Sequence, residues 1–329
     1  MIGQAVTNQP RVDRVSICPV PLLPERGYLI VDPGAFLNIG ELDSLQPLVC
    51  TPTNWGRDFT GLPAIIDLAR CDVGQRDWLA SVINAEQEIR LYMPLTLPGV
   101  CAYVEASVDA NTLARHLANQ LLVLPGETRG HLALAGALWR FFDPRVFANL
   151  CWILEPDHLR TLVGPVSRWV FPWLDSWYEF NAVDGEFSRL DTASDVAPPE
   201  RIGGFARIDI DVWDRTQRIA TINQTLARLA LPSEIPWQEK AAMAALVESA
   251  VTEAERRLHW KQTDDQARYA EHIARYGAAF RNHPVLVDHW AKLETGVETM
   301  SCSELIALLS HDEYKAFAQP TGARDASAR

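Results

Sequence analysis

The chain has 329 residues, 48% hydrophobic and 22% charged, which excludes a disordered polymer and gives enough material for two folded lobes. A formal net charge of -12 and a pI of about 5.1 oppose phosphate backbones and anionic lipid surfaces, so nucleic acid is not an expected partner. The first residues lack the apolar run of a secretory signal and no later stretch is long enough to span a bilayer; a cytoplasmic protein without membrane insertion is expected.

Residues 1–26 hold four prolines and little periodicity, which predicts an extended arm. Tyr28-Leu29-Ile30-Val31 reads as a buried strand ended by Asp32-Pro33-Gly34, followed by a helix from Phe36 to Leu45 and a strand-like run from Leu62 to Leu68. Trp78, Leu79, Val82 and Ile83 have helical spacing, and Val100 to Val108 reads as a strand. Asp109 then caps a helix marked by Leu113, Leu117 and Leu121. Both alternating faces of Leu132 to Phe142 are apolar, the pattern of a central strand covered on two sides.

At the end of that strand, Asp143 can cap the next helix and Pro144 suits its first position, where no backbone donor is required. Phe147, Leu150, Cys151 and Leu154 share one face of this helix. Pro156 opens a second helix that Gly164-Pro165 stops, and strands follow over Ser167 to Trp173 and Trp177 to Ala182.

The polar, turn-rich residues 184–204 predict a linker, beyond which the pattern is helical. Stripes run through Ile219, Ile222, Leu226 and Leu229, and through Met243, Leu246, Val247, Ala250, Val251, Ala254 and Leu258. Ala270, Ile273, Gly277 and Phe280 mark a third helix, and Leu305, Ile306 and Leu309 a last one. The expectation is an α+β protein: an N-terminal α/β lobe over 27–183 with a mixed sheet flanked by helices, then a C-terminal all-helical lobe over 205–318 and a disordered tail over 319–329.

Chemistry is sparse in the sequence. Serine-hydrolase, zinc-protease, EF-hand and Walker patterns are absent, and Gly126 to Gly130 lacks the lysine of a phosphate loop, which leaves a plain turn as the simpler reading. His283 and His289 straddle Pro284, off the i, i+4 spacing of a ligand pair, while His259 and His272 stand among charges on helix faces read as solvated. Asp209, Asp211 and Asp214 could hold a hard cation or serve acid and base work, but their alternation with Ile208, Ile210 and Val212 also describes a half-buried strand with an acidic face. Six cysteines, at positions 18, 50, 71, 101, 151 and 302, are dispersed in the manner of buried thiols. No cofactor is implied. Glu248, Glu253 and Glu255 read as acids on solvated helix faces able to meet a basic partner.

Eleven tryptophans are present, and Trp139, Trp152, Trp169, Trp173 and Trp177 crowd into one segment. Core packing accounts for most of them, with Trp169, Trp173 and Trp177 as candidate interface anchors. Arg140, at the end of the Leu132 to Phe142 strand, can reach a carboxylate or helix-terminal carbonyls and brace the corner.

The stretch "LWRFFDPRVFANLCWILEPDHLRTLVGPVSRW", residues 138–169, resembles the central signature of the effector chaperones, or adaptors, of the bacterial type VI secretion system, the Tap or Tec proteins. The matching positions run through Trp139, Arg140, Phe141, Phe142, Asp143, Pro144, Arg145, Val146, Pro156, Gly164 and Pro165, and more loosely through Tyr28 to Asp32 and residues 272–293. Thr51 to Arg70 is harder to match, and Arg11 to Glu25 has no counterpart in the family. The resemblance implies a non-enzymatic, cytoplasmic adaptor that binds a toxic effector and loads it onto the VgrG spike, with no catalytic residue and no cofactor. An enzyme using dispersed carboxylates such as Asp209 and Asp211, and an immunity-like toxin binder, are the alternatives.

Overall fold

The computed structural model describes residues 11–15, 23–36, 39–53, 61–125, 136–182, 201–202, 205–232 and 234–317. Cys18, the Gly126 to Gly130 turn, most of the 184–204 linker and the 319–329 tail lie outside the described residues. The chain divides into two compact units, Met1–Gln217 and Arg218–Arg329. The fold is α+β as expected, an N-terminal sheet with helices followed by a helical unit.

The first unit is built on β1 (Arg11–Val15), β2 (Tyr28–Val31), β3 (Leu48–Val49), β4 (Ala64–Asp67), β5 (Val100–Ala106), β6 (Leu122–Pro125), β7 (Ala137–Leu138), β8 (Val166–Trp173), β9 (Ser176–Asn181), β10 (Arg201–Ile202) and β11 (Phe205–Ile208). Seven of these form a sheet in the order β1-β9-β8-β5-β2-β4-β3, and every pairing in it is antiparallel. Mixed pairing is confined to the second sheet, β10-β11-β6-β7, where β11 runs parallel to β6. The expected arm is therefore in part an edge strand, with Arg11 opposite Asn181.

Its helices are α1 (Ile39–Ser44), α2 (Val73–Tyr92), α3 (Ala110–Gln120), α4 (Pro144–Ile153), α5 (Pro156–Val163) and α6 (Ile210–Gln217). Alternation along the strands sorts the layers. Leu29, Val31, Ala64, Ile66, Val170 and Trp177 share a buried cluster with Leu79 and Ile83 of α2. Trp169 and Phe171 point the other way, where Phe147 of α4 stacks on Trp169 with ring centres 4.5 Å apart and meets Phe171 edge-on at 5.1 Å. The large sheet is thus covered on both faces.

Local signals hold where a cap fixes the backbone. Asp72 and Gln75 form a reciprocal capping box at the start of α2. Asp109 accepts from the amides of Asn111 and Thr112, and Asp143 from that of Arg145. Gly164 ends α5 at φ +58°, and an added Cβ would lie 2.2 Å from the His116 ring, so glycine is required there twice over.

Three expectations are corrected. The strand over Leu132 to Phe142 is regular only at Ala137–Leu138 among the described residues, and β7 is an edge of the small sheet, not a central strand. Phe141 and Phe142 are buried in a turn, so their apolar character came from tertiary packing and not from strand alternation. The Ile208 to Val212 alternation is not one strand: β11 ends at Ile208 and α6 begins at Ile210, because Asp209 accepts from the Asp211 amide and starts a helix. The helical unit begins at Arg218 and not 205, since β11 returns to pair with β6.

The second unit contains α7 (Ile219–Leu229), α8 (Trp237–Arg256), α9 (Thr263–Tyr276), α10 (Ala278–Arg281), α11 (Pro284–Glu294), α12 (Cys302–Ala307) and α13 (His311–Phe317). Ile219, Ile222, Leu226 and Leu229 of α7 are all buried, as are Val247, Ala250, Val251 and Ala254 of α8. Among the described residues no helix is long and apolar enough to cross a membrane.

Candidate functional site

The signature residues form a double brace between distant segments. Arg140 Nη2 donates to Asp32 Oδ2 at 2.6 Å, its Nη1 donates to the Gly61 carbonyl at 3.1 Å, and the guanidinium lies over the Phe142 ring at 4.9 Å. The second Asp32 oxygen accepts from the Gly34 amide at 3.0 Å, while the Asp32 amide donates to the Gly99 carbonyl. Asp143 repeats the arrangement: Oδ1 accepts from the Arg145 amide and Nε, Oδ2 from Nη2 at 2.6 Å, and Arg145 Nη1 reaches the Leu95 carbonyl. Asp32 and Asp143 are 2% and 3% exposed. Both carboxylates are matched one to one by an arginine, so this corner holds chain segments together and leaves no free base.

The other expected site residues fall into place around it. Pro144 occupies the first turn of α4, and Gly164-Pro165 separates α5 from β8. Trp139 is half-buried, pinned by its amide to the Leu121 carbonyl, and lines a small pocket of about 80 Å³ with Leu154, His158 and Val212. Trp169, Trp173 and Trp177 are not interface anchors: all three are buried, Trp169 and Trp173 on the α4 face of the sheet and Trp177 on the α2 face, donating to Gln87. Their size in a strand is explained by filling the core.

Asp209 and Asp211 are exposed at the start of α6, and no group of three or more His, Cys, Asp or Glu able to hold a metal occurs among the described residues. His272 is buried, contrary to the solvated face expected of it; its Nδ1 donates to the Arg268 carbonyl and its Nε2 lies 3.1 Å from the Tyr314 hydroxyl. His289 pairs with Glu298 at 2.8 Å. The acidic face expected on α8 is also corrected, because Glu248 is buried, Glu253 meets Arg257 and Arg281, and Glu255 meets Arg218. The five described cysteines are buried free thiols, and burial pushes the Cys50 thiol up to about 12, which removes nucleophilic thiolate.

An apolar cavity of about 310 Å³ lies between α2 and the segment before β5. Phe36 and Trp78, stacked at 6.2 Å, share its walls with Val82, Ile89 and Leu97. Gly99 sits at its margin because a Cβ there would come within 2.8 Å of Phe36 and of the Glu86 carboxylate. Glu86 lines the cavity and accepts from the Gly99 amide at 2.6 Å; desolvation raises its pKa, partly offset by the amides of Gly99 and Val100 and by Arg90. At this end of α2 the chain exposes Ile89, Leu91, Tyr92 and Met93, with Tyr92 87% accessible. An apolar ridge beside an apolar cavity is the composition of a binding surface.

Comparison with protein-family models, with curated proteins and with solved structures found no match. The candidate site therefore stands on its own geometry. Sequence reading missed Phe36, Trp78, Glu86 and the ridge. The available signal was "LYMPLTLPGV", residues 91–100, an apolar run that starts in the last turn of α2 and continues past its end, and that core packing would account for.

Proposed function

We propose that the chain is a non-enzymatic adaptor that binds a type VI secretion effector in the bacterial cytoplasm and promotes its loading onto the VgrG spike. The observation carrying this reading is the exposed apolar run at the end of α2, where Leu91 is 59% and Met93 63% accessible. Solvated residues of that kind gain free energy by docking to another protein. The resemblance of residues 138–169 to the adaptor signature supplies the kind of partner, and the paired state of Asp32 and Asp143 accords with a structural use of that signature.

Co-expression with a type VI effector and a VgrG spike protein from the same genome tests the reading. A complex with the effector that survives size-exclusion chromatography, and a spike interaction that depends on it, is the expected result. Failure to bind either protein overturns the proposal, and protection of cells from the effector by this chain alone would make it an immunity protein instead.

A further inference from the structure

We propose that the cavity beside α2 is an anchor pocket for one bulky apolar side chain of the partner protein, next to which the partner carries a lysine or arginine that meets Glu41. This deepens the adaptor reading and rests on it. An apolar cavity of about 150 Å³ is enough to hold benzene, so one of about 310 Å³ admits an indole or a large aliphatic side chain. The stacked Phe36 and Trp78 rings offer flat apolar walls of the kind that receive such anchors, and the exposed Ile89 to Met93 ridge extends the contact beyond the pocket.

Charge selects the flank. Glu41 and Glu86 are the acids that line the cavity, and Glu41 is exposed. The cation among the lining residues, Arg90, is turned to this chain's own groups: its guanidinium lies 5.4 Å from the centre of the Trp177 ring and donates to Gln87. Glu86 is held by the amides of Gly99 and Val100, which leaves Glu41 as the carboxylate presented to an incoming cation. The net charge of -12 draws a basic segment toward the same surface.

The test is selection of phage-displayed short random peptides on the intact protein, repeated on Ala85→Trp and Glu41→Lys. Ala85 lines the cavity from an exposed position on α2, so tryptophan there plugs the mouth without disturbing the core, which an unchanged circular-dichroism melt verifies. Selected peptides should share a bulky apolar residue beside a lysine or arginine, and both substitutions should weaken them by about tenfold or more. Peptides with no such consensus, or bound equally by the plugged variant, overturn the proposal. Saturable binding of indole without any peptide consensus would make the cavity a small-molecule site, and self-association lost in Ala85→Trp would assign it to a second copy; either result also overturns it. If the effector binds wild type and Ala85→Trp alike, the pocket assignment falls and the adaptor stands; if peptides select the motif but no effector binds, the reverse holds.

Discussion

Arg140 and Asp32 are 108 positions apart in sequence, yet the bond between them is among the shortest in the corner at 2.6 Å. Removing the arginine leaves a nearly inaccessible carboxylate without its cation. Arg140→Met should therefore cost about 3 kcal/mol in chemical denaturation, the lower end for buried pairs because the Arg140 side chain is itself 33% exposed. Asp143 carries two duties that substitution separates. Asp143→Asn keeps an acceptor for the Arg145 amide and loses the ion pair, whereas Asp143→Ala loses the cap as well and should lie about 1 kcal/mol below the asparagine variant in the same titration. The cap was legible because it is local: an aspartate followed by proline carries its own instruction. That Arg140 would find Asp32 was not legible, since nothing in either segment encodes a contact across so much intervening chain.

Among the elements, α4 and β8 are joined through Phe147, whose ring is covered by Trp169 and Phe171. Phe147→Ala should destabilise the first unit by about 3 to 5 kcal/mol, read as a shift of its unfolding midpoint. In the second unit the sensitive element is α9, where burial lowers the His272 pKa below the usual 6.5. A depressed folded value means that the unfolded chain binds the proton first, so stability is full above about 6.5 and declines as pH falls through that value toward the folded one. Thermal melts between neutral and mildly acidic pH should show this decline, and His272→Phe should flatten it. Periodic helices such as α7 were readable because one stripe faces one core. The two-residue strand β3 was not, because its regularity is conferred by a neighbour's ladder and leaves no alternation in so short a run, and for the same reason the short extent and edge position of β7 were not. The ridge at the end of α2 escaped for the opposite reason: exposed apolar residues read from sequence as core.

For the whole molecule, a net charge of -12 with Glu253 and Glu255 of α8 already paired implies that long-range attraction to a basic partner is carried by the surface at large, beyond any local contact at Glu41. Under the proposed adaptor role, association rates with a basic effector, followed by stopped flow, should fall steeply as salt rises, while dissociation governed by the apolar ridge should change little. The sheet's strand order has a further consequence during synthesis. β1 is made well before its partner β9, which ends at Asn181, so on an emerging chain that strand is left without its ladder until most of the first unit has been translated. Pairing of that kind raises contact order and slows folding. The last event in assembling this sheet is therefore the return of its beginning to its end, and slowing translation after residue 181 should raise the yield of folded first unit more than slowing it anywhere earlier.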